Sequence, residues 1–147
     1  MPTVCIIEDD STLRDELARL LELDGYETRV CTDFANATRD VLDANPDCVI
    51  LDLGLPGADG QSICRDVRAR SEVPIIVLTA MNDEFTEVMS LNLGAHDFIA
   101  KPYRPAVLLA RIASLVKRHA SASAEASTIT HNGVTLDLGT SEVRYQG

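Results

Sequence analysis

The chain has no surplus of basic residues: 13 Lys and Arg stand against 23 Asp and Glu in 147 residues, a formal net charge of −10. Binding to nucleic acid or to an anionic membrane rests on neutralising phosphates with cationic side chains, so these residues are not expected to hold either by themselves. No apolar run approaches the roughly 20 residues of a membrane span, which argues against any insertion in a bilayer. Met1-Pro2-Thr3 lacks the basic and apolar regions of a secretory signal, so a cytoplasmic location is expected. No two of the four cysteines (Cys5, Cys31, Cys48, Cys64) have C-x-x-C spacing, and they read as small buried hydrophobes in a reducing compartment. What is present is ordinary: 46% hydrophobic and 24% charged residues suit one globular domain with a sizeable core.

Short apolar runs alternate with helical patterns. Val4-Cys5-Ile6-Ile7 predicts a first strand, and Leu13, Leu17, Leu20 and Leu21 recur at helical spacing before Gly25, which suits the left-handed position after a helix. Glu27 to Cys31 predicts a second strand, followed by a helix with Asp33 as its cap and Phe34, Ala37, Val41 and Leu42 as apolar positions. Asp47 to Asp52 and Pro74 to Thr79 are strands without polar alternation, as expected of parallel strands buried on both faces. Ile63 and Val67 mark a third helix, Val88, Leu91 and Leu93 a fourth that Gly94 ends, Phe98-Ile99-Ala100 a fifth strand, and Val107 to Val116 a final amphipathic helix. Five strands alternating with five helices imply an α/β fold, a doubly wound parallel sheet with helices on both faces.

Such a sheet brings the carboxyl ends of its strands to one edge, so Asp9, Asp10, Asp52, Thr79 and Lys101 should converge. Carboxylates within ~4 Å of each other repel by ~4 kcal/mol per pair at an effective dielectric near 20, and a divalent cation relieves that conflict. Oxygen-only ligands without His or Cys favour Mg2+ or Mn2+. Asp10 and Asp52 are the expected direct ligands, with a backbone carbonyl just after Asp52, at Gly54, as a third and Asp9 acting through water. With charge neutralised in this way, Asp52 can act as a nucleophile toward a phosphoryl group. Lys101 would then balance one phosphoryl oxygen as a point charge and the Thr79 hydroxyl would donate to another.

With these residues the chain resembles the receiver domain of a two-component response regulator over about residues 3 to 118. The marks are Glu8-Asp9-Asp10, the segment Leu51-Asp52-Leu53-Gly54-Leu55-Pro56-Gly57-Ala58-Asp59-Gly60, Leu78-Thr79-Ala80, and Gly94-Ala95-His96-Asp97-Phe98-Ile99-Ala100-Lys101-Pro102. The resemblance implies Asp52 as phosphoacceptor, Asp9 and Asp10 in the metal pocket, Thr79 and Lys101 on the phosphoryl group, and a flavodoxin-like strand order of 2-1-3-4-5. It also implies a sensor histidine kinase as partner and a phosphoacceptor that is not a turnover enzyme. A switch follows, in which Thr79 moves toward the phosphate and Phe98 turns inward to fill the space left behind. A lysine turning back from a strand end toward the phosphate is easiest to place if the Lys101-Pro102 bond is cis.

Residues 119 to 127 have no bulky side chains and read as a flexible linker, so the receiver is expected over 1 to 118. In residues 128 to 147, Val134 to Leu138 and Val143 to Tyr145 alternate in strand fashion, too short to build a core. Together with Leu108-Leu109-Ala110-Arg111-Ile112 they are similar to the OmpR/PhoB subfamily, which implies the start of a truncated winged-helix domain that would bind promoter DNA. That subfamily pairs, when active, through helix four, strand five and helix five, implying a homodimer held by interchain salt bridges. Asp97 with Arg111 retains one such pair, whereas Glu87, Val107 and His96 stand where charged partners are expected.

Three rival readings have discriminating features. A flavodoxin-type cofactor binder would need phosphate-holding donors where Glu8-Asp9-Asp10 stands. An aspartyl phosphatase would need a second carboxylate at the position of Gly54. A stand-alone receiver acting through protein contacts would have no use for the linker and tail.

Overall fold

A computed structural model of the chain describes residues 1–81 and 83–132, with side chains as far as Ala120. The elements follow in the order β1 (Thr3–Ile7), α1 (Ser11–Leu23), β2 (Glu27–Cys31), a single 3-10 turn (Phe34–Asn36), α2 (Ala37–Ala44), β3 (Cys48–Leu51), α3 (Gly60–Arg68), β4 (Ile75–Thr79), α4 (Glu84–Asn92), β5 (Asp97–Ala100) and α5 (Pro105–Asn132). All pairings are parallel and the sheet order is β2-β1-β3-β4-β5, the flavodoxin-like order expected.

The central strands β1, β3 and β4 are almost wholly apolar because both faces of the sheet are covered there, and successive residues feed opposite cores. Cys5, Ile7, Val49, Leu51, Ile75 and Val77 pack with Val41, Ile63, Cys64 and Val67 of α2 and α3. Val4, Ile6, Cys48, Ile50, Ile76 and Leu78 pack with Leu17 and Leu21 of α1 and Leu108, Ile112 and Leu115 of α5. All four cysteines are buried, as expected, and burial pushes the thiols of Cys5 and Cys31 up to about 11 and that of Cys48 to about 12. Gly25 (φ +94°) and Gly94 (φ +121°) take the left-handed backbone after α1 and α4. No described helix is long and apolar enough to cross a membrane.

Three local expectations are corrected. Asp33 does not cap α2 with its side chain; its carboxylate accepts from the Asn36 side-chain amide at 2.8 Å, because a 3-10 turn intervenes before the helix. Helix α4 turns Thr86 and Ser90 inward and leaves Val88 and Leu91 exposed, so its apolar stripe does not face the core. Helix α5 continues through 119–127 to Asn132 where an irregular linker was expected. That stretch is rich in alanine, has no Gly or Pro, and so carries no signal to stop a helix. The strand-like segments Val134 to Leu138 and Val143 to Tyr145 lie outside the described residues.

Candidate functional site

Each strand of the sheet's middle ends one residue before, or at, a polar group. Strand β1 ends at Ile7, so Glu8 is the first residue beyond it; β3 ends at Leu51, so Asp52 holds the same position. Ile7 and Leu51 are register partners, which sets Glu8 and Asp52 side by side. The Asp52 N–H still donates to the Ile7 carbonyl at 3.0 Å, fixing the backbone that carries the carboxylate. Thr79 is the last residue of β4, and Lys101 follows β5 with its N–H on the Thr79 carbonyl at 2.9 Å. The Lys101-Pro102 peptide is cis, as expected.

Lys101 Nζ lies between two carboxylates, 2.8 Å from Glu8 Oε1 and 3.1 Å from Asp52 Oδ2. The other Asp52 oxygen accepts the Gly54 N–H at 3.2 Å. Burial opposes ionisation of Asp52, but the Gly54 N–H, the Thr79 side chain and Lys101 outweigh it and hold the carboxyl below its ordinary value. Glu8 is 2% exposed, and there burial prevails over Lys101 and the Asp10 N–H, so its carboxyl is raised. Lys101 is raised in turn: burial works against its charge, and its two carboxylate partners more than compensate. Thr79 Oγ1 accepts the Met81 N–H at 3.1 Å, and its hydroxyl hydrogen serves the Asp52 carboxylate.

Glu8, Asp9 and Asp52 each offer a carboxylate oxygen, all within 4.8 Å of one another. Three hard oxygen donors, two buried and one exposed, fit a divalent cation with room for water ligands. Asp10, expected as a direct ligand, caps α1 instead: its Oδ1 accepts the N–H groups of Thr12 at 3.0 Å and Leu13 at 3.2 Å. Glu8 takes its place in the cluster, and its other oxygen accepts the Asp10 N–H at 3.1 Å. The strand boundary was the available signal, since the residue equivalent to Asp52 is the one directly after Ile7. Gly60 also shapes the site. A Cβ there would stand 2.5 Å from Leu53 Cα and 2.7 Å from the Asp52 carbonyl, so this glycine lets α3 begin hard against the loop that holds Asp52.

Of the remaining expected residues, Phe98 is half-buried, pairs with Val77 in the sheet and packs on the core shared by α2 and α3. Asp97 and Arg111 meet at 2.6 Å within the chain. His96 is held within the chain. Its Nδ1 lies 3.2 Å from an Arg68 nitrogen and 3.3 Å from the Ile75 N–H, and burial, then the charges of Arg68 and Arg118, disfavour its protonation.

The family model for the response regulator receiver domain matches residues 4–113. Sensory transduction protein RegX3 of Mycobacterium bovis is 42% identical over 127 residues, covering 86% of this chain and 56% of that protein. RegX3 of Mycolicibacterium smegmatis is 38% identical over 150 positions, covering 100% of this chain and 66% of the relative. The chain thus spans between half and two thirds of the curated relatives it matches. Among solved structures, the beryllofluoride-activated N-terminal receiver domain of RstA from Klebsiella pneumoniae superposes with a TM-score of 0.74 at 34% identity, over 78% of this chain and 97% of that one.

Proposed function

The chain belongs to the response regulator receiver domain family, as the receiver of a two-component response regulator, and from that premise we propose that Asp52 is its phosphoacceptor. A receiver implies a histidine kinase as partner. The observation that carries the proposal is the Asp52 carboxylate held 3.1 Å from Lys101 Nζ, beside Glu8 and Asp9, at the carboxyl end of a buried strand. One Asp52 oxygen attacks phosphorus, the P–N bond to the donor imidazole breaks, and that nitrogen keeps the electron pair and takes a proton from solvent. Lys101 balances charge on the phosphoryl oxygens, and the Thr79 hydroxyl turns from the carboxylate to donate to one of them. No separate base is needed, because Asp52 is ionised at neutral pH.

Glu8, Asp9 and Asp52 would hold Mg2+ or Mn2+, with Gly54 adding a carbonyl ligand. When bound, the ion supplies positive charge that offsets the repulsion between carboxylate and phosphoryl oxygens. After transfer, Thr79 and Phe98 act as the switch pair, and two copies associate through α4, β5 and α5, the surface that includes Asp97 and Arg111. The likeness to RegX3 supports an OmpR/PhoB-like regulator acting in the cytoplasm, whose DNA-binding domain follows the receiver and controls transcription. A flavodoxin-like reading is disfavoured by the carboxylates of Glu8 and Asp9, which would repel a cofactor phosphate.

Intact-mass measurement after incubation with acetyl phosphate tests the central step. Wild type with Mg2+ is expected to gain one phosphoryl group, and neither Asp52→Asn nor wild type in excess chelator is expected to. Equal adduct in either control would sink the assignment.

A further inference from the structure

A cavity of about 340 Å3 opens between β1, the edge strand β2 and α2. Its walls carry two thiols, Cys5 and Cys31, and three carboxylates, Asp33, Asp40 and Asp43, against the single cation Arg29. None of these residues belongs to the phosphoryl site. The donors also differ in kind, since Glu8, Asp9 and Asp52 offer oxygen alone and this cavity mixes oxygen with sulfur.

Strand register brings the thiols near each other. Cys5 is the partner of Arg29 and Ile7 that of Cys31, so the two cysteines are offset by two positions on neighbouring parallel strands, and both feed the core under α2 and α3. With strands ~4.8 Å apart and ~3.3 Å of rise per residue, that offset separates their Cα atoms by ~8 Å. A disulfide does not span more than about 7 Å without backbone movement, whereas an ion ~2.3 Å from each sulfur supplies the missing length.

Cys31 already stands as a ligand would. Its Sγ lies 3.7 Å from Asp40 Oδ2 and 3.7 Å from the Asp33 carbonyl oxygen, and one S–H can point at only one of them. Bonds of ~2.3 Å to sulfur and ~2.1 Å to a carboxylate oxygen, meeting at a tetrahedral angle, set the two donor atoms ~3.6 Å apart. The Cys31–Asp40 spacing matches that figure. Asp40 Oδ1 is turned to the exposed Arg39 guanidinium at 3.5 Å, which leaves Oδ2 for the cavity. Cys5, 3% exposed, has no hydrogen-bond partner among the described residues.

We propose that Cys5, Cys31 and Asp40 bind a thiophilic tetrahedral cation, Zn2+ by preference, with the fourth position open to water from the cavity. Mg2+ is too hard for sulfur and Cu+ favours sulfur alone, so a mixed set of thiolate and carboxylate suits Zn2+. Burial keeps both thiols protonated, pushing them up to about 11, so the ion must displace their protons. Two S–H bonds break, two Zn–S bonds form, and two protons leave to solvent for each ion bound. The bound ion ties edge strand β2 to β1 and α2.

Co2+ titrated into the reduced wild-type chain in excess Mg2+ tests the site. Thiolate-to-cobalt charge transfer in the near ultraviolet reports sulfur ligation, and the oxygen cluster at Asp52 cannot produce it. Wild type is expected to develop this band to saturation at one ion per chain, with the visible bands of tetrahedral cobalt, and to lose it when Zn2+ is added. Cys31→Ala should abolish the band and Cys5→Ala should about halve it. Asp40→Asn keeps both thiols at a partly exposed position, and should raise the dissociation constant at least about tenfold. Cys64→Ala, outside the cavity, should bind as wild type does. Circular dichroism checks the fold of each variant. A wild type without the thiolate band would overturn the inference, as would a band that survives in Cys31→Ala or disappears in Cys64→Ala. So would an Asp40→Asn variant that binds Co2+ as tightly as wild type.

Discussion

Lys101 is held by two acids at once, and this separates the carboxylates of the site into two kinds. Glu8 and Asp52 share the one ammonium group at 2.8 and 3.1 Å, whereas Asp9 is exposed and forms no ion pair with it. A cation arriving at the cluster therefore gains most from Asp9, the carboxylate with nothing yet to balance it. Asp10 is a neighbour in sequence only, with its oxygen already committed to two N–H groups of α1. Serine caps a helix as well as aspartate does, so Asp10→Ser should phosphorylate within about twofold of the wild-type rate. Asp9→Asn, at limiting Mg2+, should be slower by about tenfold or more. The mass adduct followed in time measures both, and an equal loss in the two variants would mean that Asp10 also reaches the ion.

At the scale of elements, the strands and the parallel sheet are readable from composition because β3 and β4 are buried on both faces and need no polar positions. Four strand ends and their residues follow from that reading. What is not readable is set by contacts distant in sequence. The stripe Phe85, Val88, Leu91 has the spacing of a core face, yet nothing local says that the sheet takes Thr86 and Ser90 instead. Arg68 is another case: its guanidinium donates to the carbonyls of Ser71, Val73 and Gly94 at 2.6 to 3.1 Å, and a Cβ on Gly94 would stand 2.5 Å from its Cγ. This arginine ties the end of α3 to the turn between α4 and β5, and it lies against His96. Burial first, then the charges of Arg68, Arg118 and His119, lower the His96 imidazole to about 4. The unfolded chain binds that proton near pH 6.5 and the folded chain does not, so folding loses stability as pH falls from about 6.5 toward 4. His96→Asn lacks this loss. Its melting temperature should therefore gain on wild type as pH drops from 7 to 4.5, modestly, because the ring is partly exposed and screened. Parallel melting curves across that range would show that the imidazole titrates normally.

For the molecule as a whole, the site is a trade between stability and function. A net charge of −10 already disfavours compaction, and three carboxylates within 4.8 Å add a local repulsion that a single lysine only partly offsets. The fold tolerates this because β1, β3 and β4 bring their ends together through backbone pairing that is indifferent to the charges they carry. Anything that supplies positive charge only to the folded state then stabilises it by mass action. Asp9→Asn tests this without disturbing Lys101, since Asp9 forms no ion pair with the ammonium group. Its melting temperature in chelator should exceed that of wild type, by a few degrees for about 1 kcal/mol of relieved repulsion. The same variant should gain less from added Mg2+, because one of the oxygens that rewards the ion is gone. Asp52→Asn is the contrasting case, as it loses a Lys101 partner along with a charge and should gain less in chelator than Asp9→Asn does. Thermal melts of the three proteins across a Mg2+ series measure all of these. If Asp9→Asn melts with wild type in chelator and responds equally to Mg2+, the exposed carboxylate neither repels its neighbours nor meets the ion, and the divalent site must lie elsewhere.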